Sequence, residues 1–271
     1  MLTHRRILRT LPWKLLSRKI RDIAAIPVLT GPLRGKLLPE HPALEQPSML
    51  FGLYEQGVVF EVMRLTETTK TAYDIGANIG YITLALACRM GNGGRIYAFE
   101  PAPRNVDLLN QLVALNNIEK MVHVLSLAVG ETTGEQRLIM LGSSSMHFLE
   151  TATDGQDTSL CHSVMVESTT LDSFVLEQNN PAPDFVKIDV EGAEALVLQG
   201  ALRTLEAFSP TILIEIHGPT NARMVWEVLD TLNYSWVKLT EEGKSVVATK
   251  EKLLPYFTKD SWTHHFLLTK G

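Results

Sequence analysis

"YDIGANIGYITLALA", Tyr73 to Ala87, is the stretch whose reading decides the fold. An apolar run ends in an acid, Asp74, passes two glycines, Gly76 and Gly80, and continues with apolar residues at helical spacing. A strand that enters a helix through a glycine turn leaves backbone N–H groups free at the helix start, where nucleotide-like cofactors are held. The ligand of such a turn is a dinucleotide, another phosphate-bearing molecule, or something else. The surrounding residues narrow the choice.

Outward from this turn, short apolar runs alternate with helical patterns from about residue 70 onward, the mark of a parallel sheet with helices on both faces. "TAYDI" is the first strand and Ile79–Met90 its helix; "GRIYAFE", Gly94 to Glu100, is the second, followed by a helix through "RNVDLLNQLVALNN". "MVHVLSLAV" is the third, and "EQRLIML" and "SVMVES" add β segments around a polar loop, residues 142–160. "TTLDSFVLEQ" predicts a short helix capped by Thr169 or Thr170. "PDFVKIDV" and "TILIEI" are the fourth and fifth core strands, separated by one helix through "AEALVLQGALRTLEAF" that Ser209-Pro210 ends. After a helix through "NARMVWEVLDTL", "YSWVKL" and "HHFLLTK" close the sheet. The expectation is an α/β fold with seven core strands around one switch point.

A doubly wound sheet binds its ligand beyond the carboxyl ends of its central strands. The first strand delivers Asp74, Gly76, Ala77, Asn78 and Gly80 to that edge. Both glycines remove a Cβ where the chain turns sharply and a ligand approaches. Their spacing is GxxxG rather than the GxGxxG of pyrophosphate binders. A carboxylate beside a pyrophosphate is repulsive, whereas beside an ammonium it is favourable, so Asp74 selects an amino-acid-like ligand. Glu100 ends the second strand, where an acid accepts hydrogen bonds from the hydroxyls of an unphosphorylated ribose. Ammonium plus ribose without phosphate describes S-adenosylmethionine, and an NAD-type oxidoreductase is the runner-up.

These residues resemble the FkbM family of class I S-adenosylmethionine-dependent methyltransferases. The resemblance runs through "GLYE", "DIGANIG", "FEPAPRN", "LAVGETTG", "TTLDSF", "DFVKIDVEGAE" and "ILIEIHG", roughly residues 50–218, and reaches back to "GPLRGK". It implies a Rossmann-like, seven-stranded, mostly parallel sheet with strand order 3-2-1-4-5-7-6. It also implies a cofactor loop at Asp74, Gly76, Ala77, Asn78 and Gly80, a ribose acid at Glu100, and an adenine wall around Ser126–Val129, with Ser126 and Ala128 as contacts. The acceptor class it implies is a hydroxyl on a sugar, polyketide or other secondary metabolite.

The fourth and fifth strands bring Lys187, Asp189, Glu191, Glu194, Glu215 and His217 to the same edge. Strand alternation places Lys187, Asp189 and Glu191 on one side, near the donor's sulfonium. Methyl transfer needs in-line alignment and a base for the acceptor proton, and Asp189, His217, Glu191 and Glu215 are the catalytic candidates. Glu194 reads as a first-turn acid complementing a helix dipole, and Glu191-Gly192 as either a tight turn or a chemical group. Asp189, Glu215 and His217 also have the donor types of a Mg²⁺ or Mn²⁺ site, although no spacing signature such as HExxH is present, and a divalent metal is not expected.

The chain has 271 residues and a net charge of −5 that hides an asymmetry. Residues 1–36 carry +8, and the remainder carries −13. The boundaries expected are a basic helical extension over residues 1–50 and a methyltransferase domain over 51–271. Residues 1–36 suit a helix packed on the domain through Leu8, Leu11, Leu15, Leu16 and Ile20, a lid, or peripheral contact with an anionic membrane. No apolar span is long enough to cross a bilayer, and the acidic remainder carries no nucleic-acid motif. Two cysteines make no disulfide framework, which points to the cytoplasm. The partner expected is a small-molecule or glycan- or lipid-linked acceptor. An N-methyltransferase and a non-catalytic S-adenosylmethionine-binding protein remain the alternatives, and the oligomeric state is open.

Overall fold

The computed structural model of the chain describes residues 25–140, 147–149, 162–239, 245–247, 253–258 and 262–270. The first 24 residues of the predicted helical extension and most of the loop 142–160 lie outside them. Strands β1 (Ala25–Pro27) and β2 (Leu37–Pro39) form an antiparallel pair, followed by the short helices α1 (Glu40–Glu45) and α2 (Pro47–Leu50) and by α3 (Gln56–Leu65). The alternating core follows: β3 (Thr71–Ile75), α4 (Tyr81–Arg89), β4 (Arg95–Phe99), α5 (Pro103–Leu115), β5 (Val122–Leu125). Four strands then leave the main sheet: β6 (Ala128–Val129), β7 (Gly134–Met140), β8 (His147–Leu149) and β9 (His162–Thr169). The chain returns through β10 (Phe185–Ile188), α6 (Glu194–Gln199), α7 (Leu202–Phe208), β11 (Thr211–His217), α8 (Pro219–Asp230), β12 (Ser235–Leu239), β13 (Ser245–Val247) and β14 (Thr263–Thr269).

Among the described residues the main sheet has eight strands in the order β13-β12-β14-β11-β10-β3-β4-β5. Strands β5, β4, β3, β10 and β11 run parallel, and β14 inserts antiparallel between β11 and β12. This is the expected order with one strand added, β13, which pairs antiparallel with the edge strand β12. The order reverses between β3 and β10, so their carboxyl ends mark the switch point where a ligand site belongs.

Alternation along the strands divides the core in two. Tyr73, Ile75, Val186 and Ile188 face one apolar cluster, with α6, α7 and α8. Ala72, Ile96, Ala98 and Phe185 face the other, with α4 and α5. Phe174 meets Tyr73, Tyr97 and Phe99 edge-on, with ring centroids 5.1–5.7 Å apart, an arrangement favoured by the ring quadrupoles. Ile26, Leu33, Leu38, Met49 and Leu50 pack into the second cluster, so residues 25–50 share the domain's core and form strands as well as helices. Within the described residues no helix is long and apolar enough to cross a membrane.

Three local departures from the expected elements have physical causes. The third predicted strand breaks at Ser126-Leu127, because the chain there passes from the main sheet to the four-stranded sheet β6-β9-β7-β8. The helix predicted after β10 is two helices: a Cβ on Gly200 would lie 2.0 Å from the Gly130 carbonyl, so the backbones meet where the helix is interrupted. The predicted helix near Thr170 is a π-helical turn, Ser173–Glu177, whose Ser173 N–H donates to Thr170 Oγ1 at 2.9 Å.

Candidate active site

The turn after β3 is built from opposed constraints. Gly76 and Gly80 have φ of +75° and +92°, values that L side chains rarely adopt. Their missing Cβ atoms make room for protein rather than for a ligand. A Cβ on Gly76 would fall 1.8 Å from the Asp189 carbonyl oxygen, and one on Gly80 2.4 Å from Leu109 Cδ1 on α5. Gly76→Ala is therefore expected to lower stability by about 2–4 kcal/mol, combining overpacking against backbone with a left-handed alanine. Gly93→Ala, also at positive φ but with nothing within 4 Å, isolates the backbone part. Urea unfolding of the pair separates the two contributions.

Asp74 is fully buried. Thr83 Oγ1 donates to its Oδ2 at 2.6 Å, and Lys187 Nζ lies 3.7 Å from its Oδ1. The ammonium that meets Asp74 in this structure is thus a lysine's, and the carboxylate holds the turn from beneath. Lys187 also donates to the Gly76 carbonyl and to Asp189 Oδ2, both at 3.2 Å. Burial opposes its charge, yet Asp189, Asp74 and Glu55 together push its pKa up.

A cleft lies over this turn. Gly76, Asn78, Glu100 and Asn105 line one part, and Asp189, Val190, Glu191 and Ala193 another. Leu127, Ala128, Val129 and Leu138 form an apolar wall, which the second sheet supplies. Of the two expected adenine contacts, Ala128 lines the cleft and Ser126 is not among the lining residues. Glu100 Oε1 accepts from Ala102 N–H at 2.9 Å and Asn105 Nδ2 at 3.3 Å, and Oε2 accepts from Asn78 N–H at 2.9 Å. A carboxylate oxygen accepts two hydrogen bonds, so Oε2 has a position to spare for a ligand donor while Oε1 is filled. Burial raises the pKa of Glu100, and these donors work against it. Asn78 Oδ1 is buried without a hydrogen-bond partner, a further polar atom for a ligand lining the cleft.

Beyond β10 the strand alternation stops, because the chain turns at Asp189. Glu191 and Gly192 have φ of +53° and +104°. Lys187 and Asp189 stay together, and Glu191 meets His217 close by. Glu191 is both a turn residue and part of the cleft.

His217, at the end of β11, joins these elements. Its Nδ1 lies 2.8 Å from Glu194 Oε1, and its Nε2 lies 3.3 Å from Glu191 Oε2 and 3.9 Å from Glu215 Oε1. Glu194 stands in the first turn of α6, fully buried, accepting from the Gly192 N–H at 3.0 Å and from Asn221 Nδ2. Burial disfavours the imidazolium, but Glu194, Glu215 and Asp189 outweigh it and raise the His217 pKa to about 10. Burial raises Glu191 to about 7 against the pull of His217.

Two participants were not among the site candidates read from the sequence, although Glu55 closes the "GLYE" stretch. His265, directly opposite Glu215 in the β11–β14 register, holds Glu215 Oε2 at 3.1 Å. Burial works against ionisation of Glu215, but His265 and His217 bring its pKa down to about 2. Glu55, at φ +44° ahead of α3, is pushed up to about 7, first by burial, with Lys187 opposing. Six carboxyl groups (Glu55, Asp74, Asp189, Glu191, Glu194 and Glu215) thus share three basic side chains, Lys187, His217 and His265.

The family model of the Methyltransferase FkbM domain matches residues 74–242. The hexuronic acid methyltransferase AglP of Haloferax volcanii is 26% identical over 201 residues, covering 73% of this chain and 77% of that protein. Among solved structures, the methyltransferase FkbM of Methylobacillus flagellatus KT is similar over 98% of this chain, with 15% identity and a TM-score of 0.47. This chain spans 60% of that one's length. The O-methyltransferase from Bacillus cereus in complex with SAH is similar over 96% of this chain and 99% of that one, with 12% identity and a TM-score of 0.46.

Proposed function

The chain belongs to the FkbM methyltransferase family, and from that membership we propose that it moves the methyl group of S-adenosylmethionine to an oxygen of a sugar. The observation that carries the proposal is the cleft itself. Its Glu100 and Asn78 suit ribose, its Leu127–Val129 wall suits adenine, and its far end opens on the carboxylates at Asp189 and Glu191. The donor's sulfonium belongs at that end, where negative groups favour it. The sugar class comes from AglP, whose name states a hexuronic acid substrate.

Of the four catalytic candidates, Glu191 is the best placed to take the acceptor proton. It lines the cofactor cleft, and its carboxyl is a third exposed at 32%. His217 is held as an imidazolium by its carboxylate neighbours, which makes it a positioning residue. Asp189 is tied to Lys187.

Trp262 supports a ring-shaped acceptor. Its indole packs against Gly218, where an added Cβ would lie 2.6 Å from Cζ2, yet it remains 56% exposed beside His217. An exposed, fixed aromatic face is suited to the apolar face of a pyranose. Trp262→Ala is expected to raise the acceptor KM about 2–10-fold with little change in kcat, since aromatic contacts contribute about 0.5–1.5 kcal/mol.

Isothermal calorimetry with S-adenosylmethionine, S-adenosylhomocysteine and NAD tests the cofactor, and binding of NAD alone overturns it. Transfer of a labelled methyl group to a panel of hexuronic acid glycosides, neutral hexosides and amino sugars tests the acceptor. Label appearing only on nitrogen overturns the oxygen acceptor.

A further inference from the structure

Asp189, Glu215 and His217 each offer one ligand atom, and these atoms lie within 4.8 Å of one another. Each residue is also held from outside the trio through an atom of its own. Lys187 holds Asp189 by Oδ2, His265 holds Glu215 by Oε2, and Glu194 holds His217 by Nδ1. The grip on His217 directs Nε2 towards the carboxylates. A buried carboxylate on the far nitrogen is the arrangement that orients metal-binding histidines and makes them more basic.

A second observation comes from another part of the chain. Glu55 Oε2 is sealed from solvent and has no hydrogen-bond partner, while the Tyr54 hydroxyl hydrogen-bonds the same carboxyl. Its carboxyl lies within electrostatic reach of Asp189, Lys187 and His265. A buried carboxylate oxygen with nothing to accept from is costly unless something positive sits nearby.

We propose that Asp189, Glu215 and His217 Nε2 bind a divalent cation at the acceptor end of the cleft, with Glu55 facing it across the site. Two carboxylates and one imidazole suit Mn²⁺ better than Mg²⁺, which prefers oxygen alone. Bound there, the cation takes up negative charge that the neighbouring basic side chains leave over. An acceptor that is itself an anion, such as a hexuronate, then enters without meeting unopposed carboxylates. The binding site rests on the geometry alone, and its use in catalysis rests on the proposed methyl transfer to oxygen.

The test is titration of chelator-treated, full-length protein with MnCl₂, following free Mn²⁺ by electron paramagnetic resonance. One Mn²⁺ per chain is expected to disappear from the free signal. Glu194→Gln, which acts through His217, is expected to weaken binding about 10–100-fold. Glu215→Gln and Asp189→Asn, which remove ligand charge, are expected to weaken it at least as much. Calorimetry with S-adenosylhomocysteine shows that each variant is folded. An undiminished Mn²⁺ signal with the wild-type protein overturns the site, as do wild-type affinities in both ligand variants. Retained S-adenosylhomocysteine binding in that case removes the metal and leaves the methyltransferase reading intact.

Discussion

Lys187→Met is expected to lower the stability of the fold by about 3–5 kcal/mol, the range for removing one partner of a buried ion pair. The lysine is 6% exposed and lies between two carboxylates, one of them, Asp74, fully buried. Methionine keeps most of the volume, so the loss is electrostatic. Asp74 then keeps only Thr83, and the Gly76 carbonyl loses a donor. Because burial already raises the Asp74 pKa, the variant folds best with that group protonated. A carboxyl whose folded pKa lies above its unfolded one stabilises at low pH and loses that contribution as pH rises, so the deficit should shrink on acidification. Adding Asp74→Asn removes the stranded charge, and the double variant should recover part of the loss. Urea unfolding of the four proteins in this cycle checks it. Strictly additive losses from the two substitutions would show that the pair is not coupled.

The same pair illustrates what a sequence can and cannot disclose here. Asp74 and Lys187 lie more than a hundred positions apart, yet both sit on strands that periodicity finds, and β3 and β10 place them opposite one another. The parallel sheet was legible because short, mostly apolar runs alternate with helical patterns, whereas the strand order came from the family resemblance. Glu100 was legible because it ends such a strand. The glycines were legible as turn residues, but no pattern says whose atoms fill the space a Cβ would take. That space belongs to Asp189 and Leu109, which only the assembled fold brings near. Glu55 and His265 escaped for a similar reason. Glu55 itself adopts a left-handed conformation ahead of α3, and His265 depends on β14 inserting antiparallel beside β11. The second sheet was hidden because β7 and β9 alternate like any half-buried strand, and their pairing with each other rather than with the main sheet leaves no local trace.

Glu191→Gln is expected to reduce kcat about 10²–10⁴-fold, the range for losing a general base. Several features make glutamine an informative replacement. The residue occupies a turn at φ +53°, and glutamine alters neither the backbone nor the side-chain length there. The neighbouring Glu194, which organises the turn by accepting from Gly192 and holding His217, is untouched. The amide still fits beside His217, so the cleft keeps its shape. Binding of S-adenosylhomocysteine should therefore stay within a few-fold of wild type, because Glu100 and Asn78 hold the other end of the cleft. A base acts only once the hydroxyl begins to attack, so kcat and kcat/KM should fall together with KM nearly constant. A charge that merely steadied the sulfonium would behave otherwise. Its removal would weaken S-adenosylmethionine, which is cationic at sulfur, more than S-adenosylhomocysteine, which is not. Calorimetry with the two ligands, set beside steady-state kinetics, separates these roles. A rise in the dissociation constant for S-adenosylmethionine alone, with kcat preserved at saturation, would move Glu191 from proton acceptor to counter-charge.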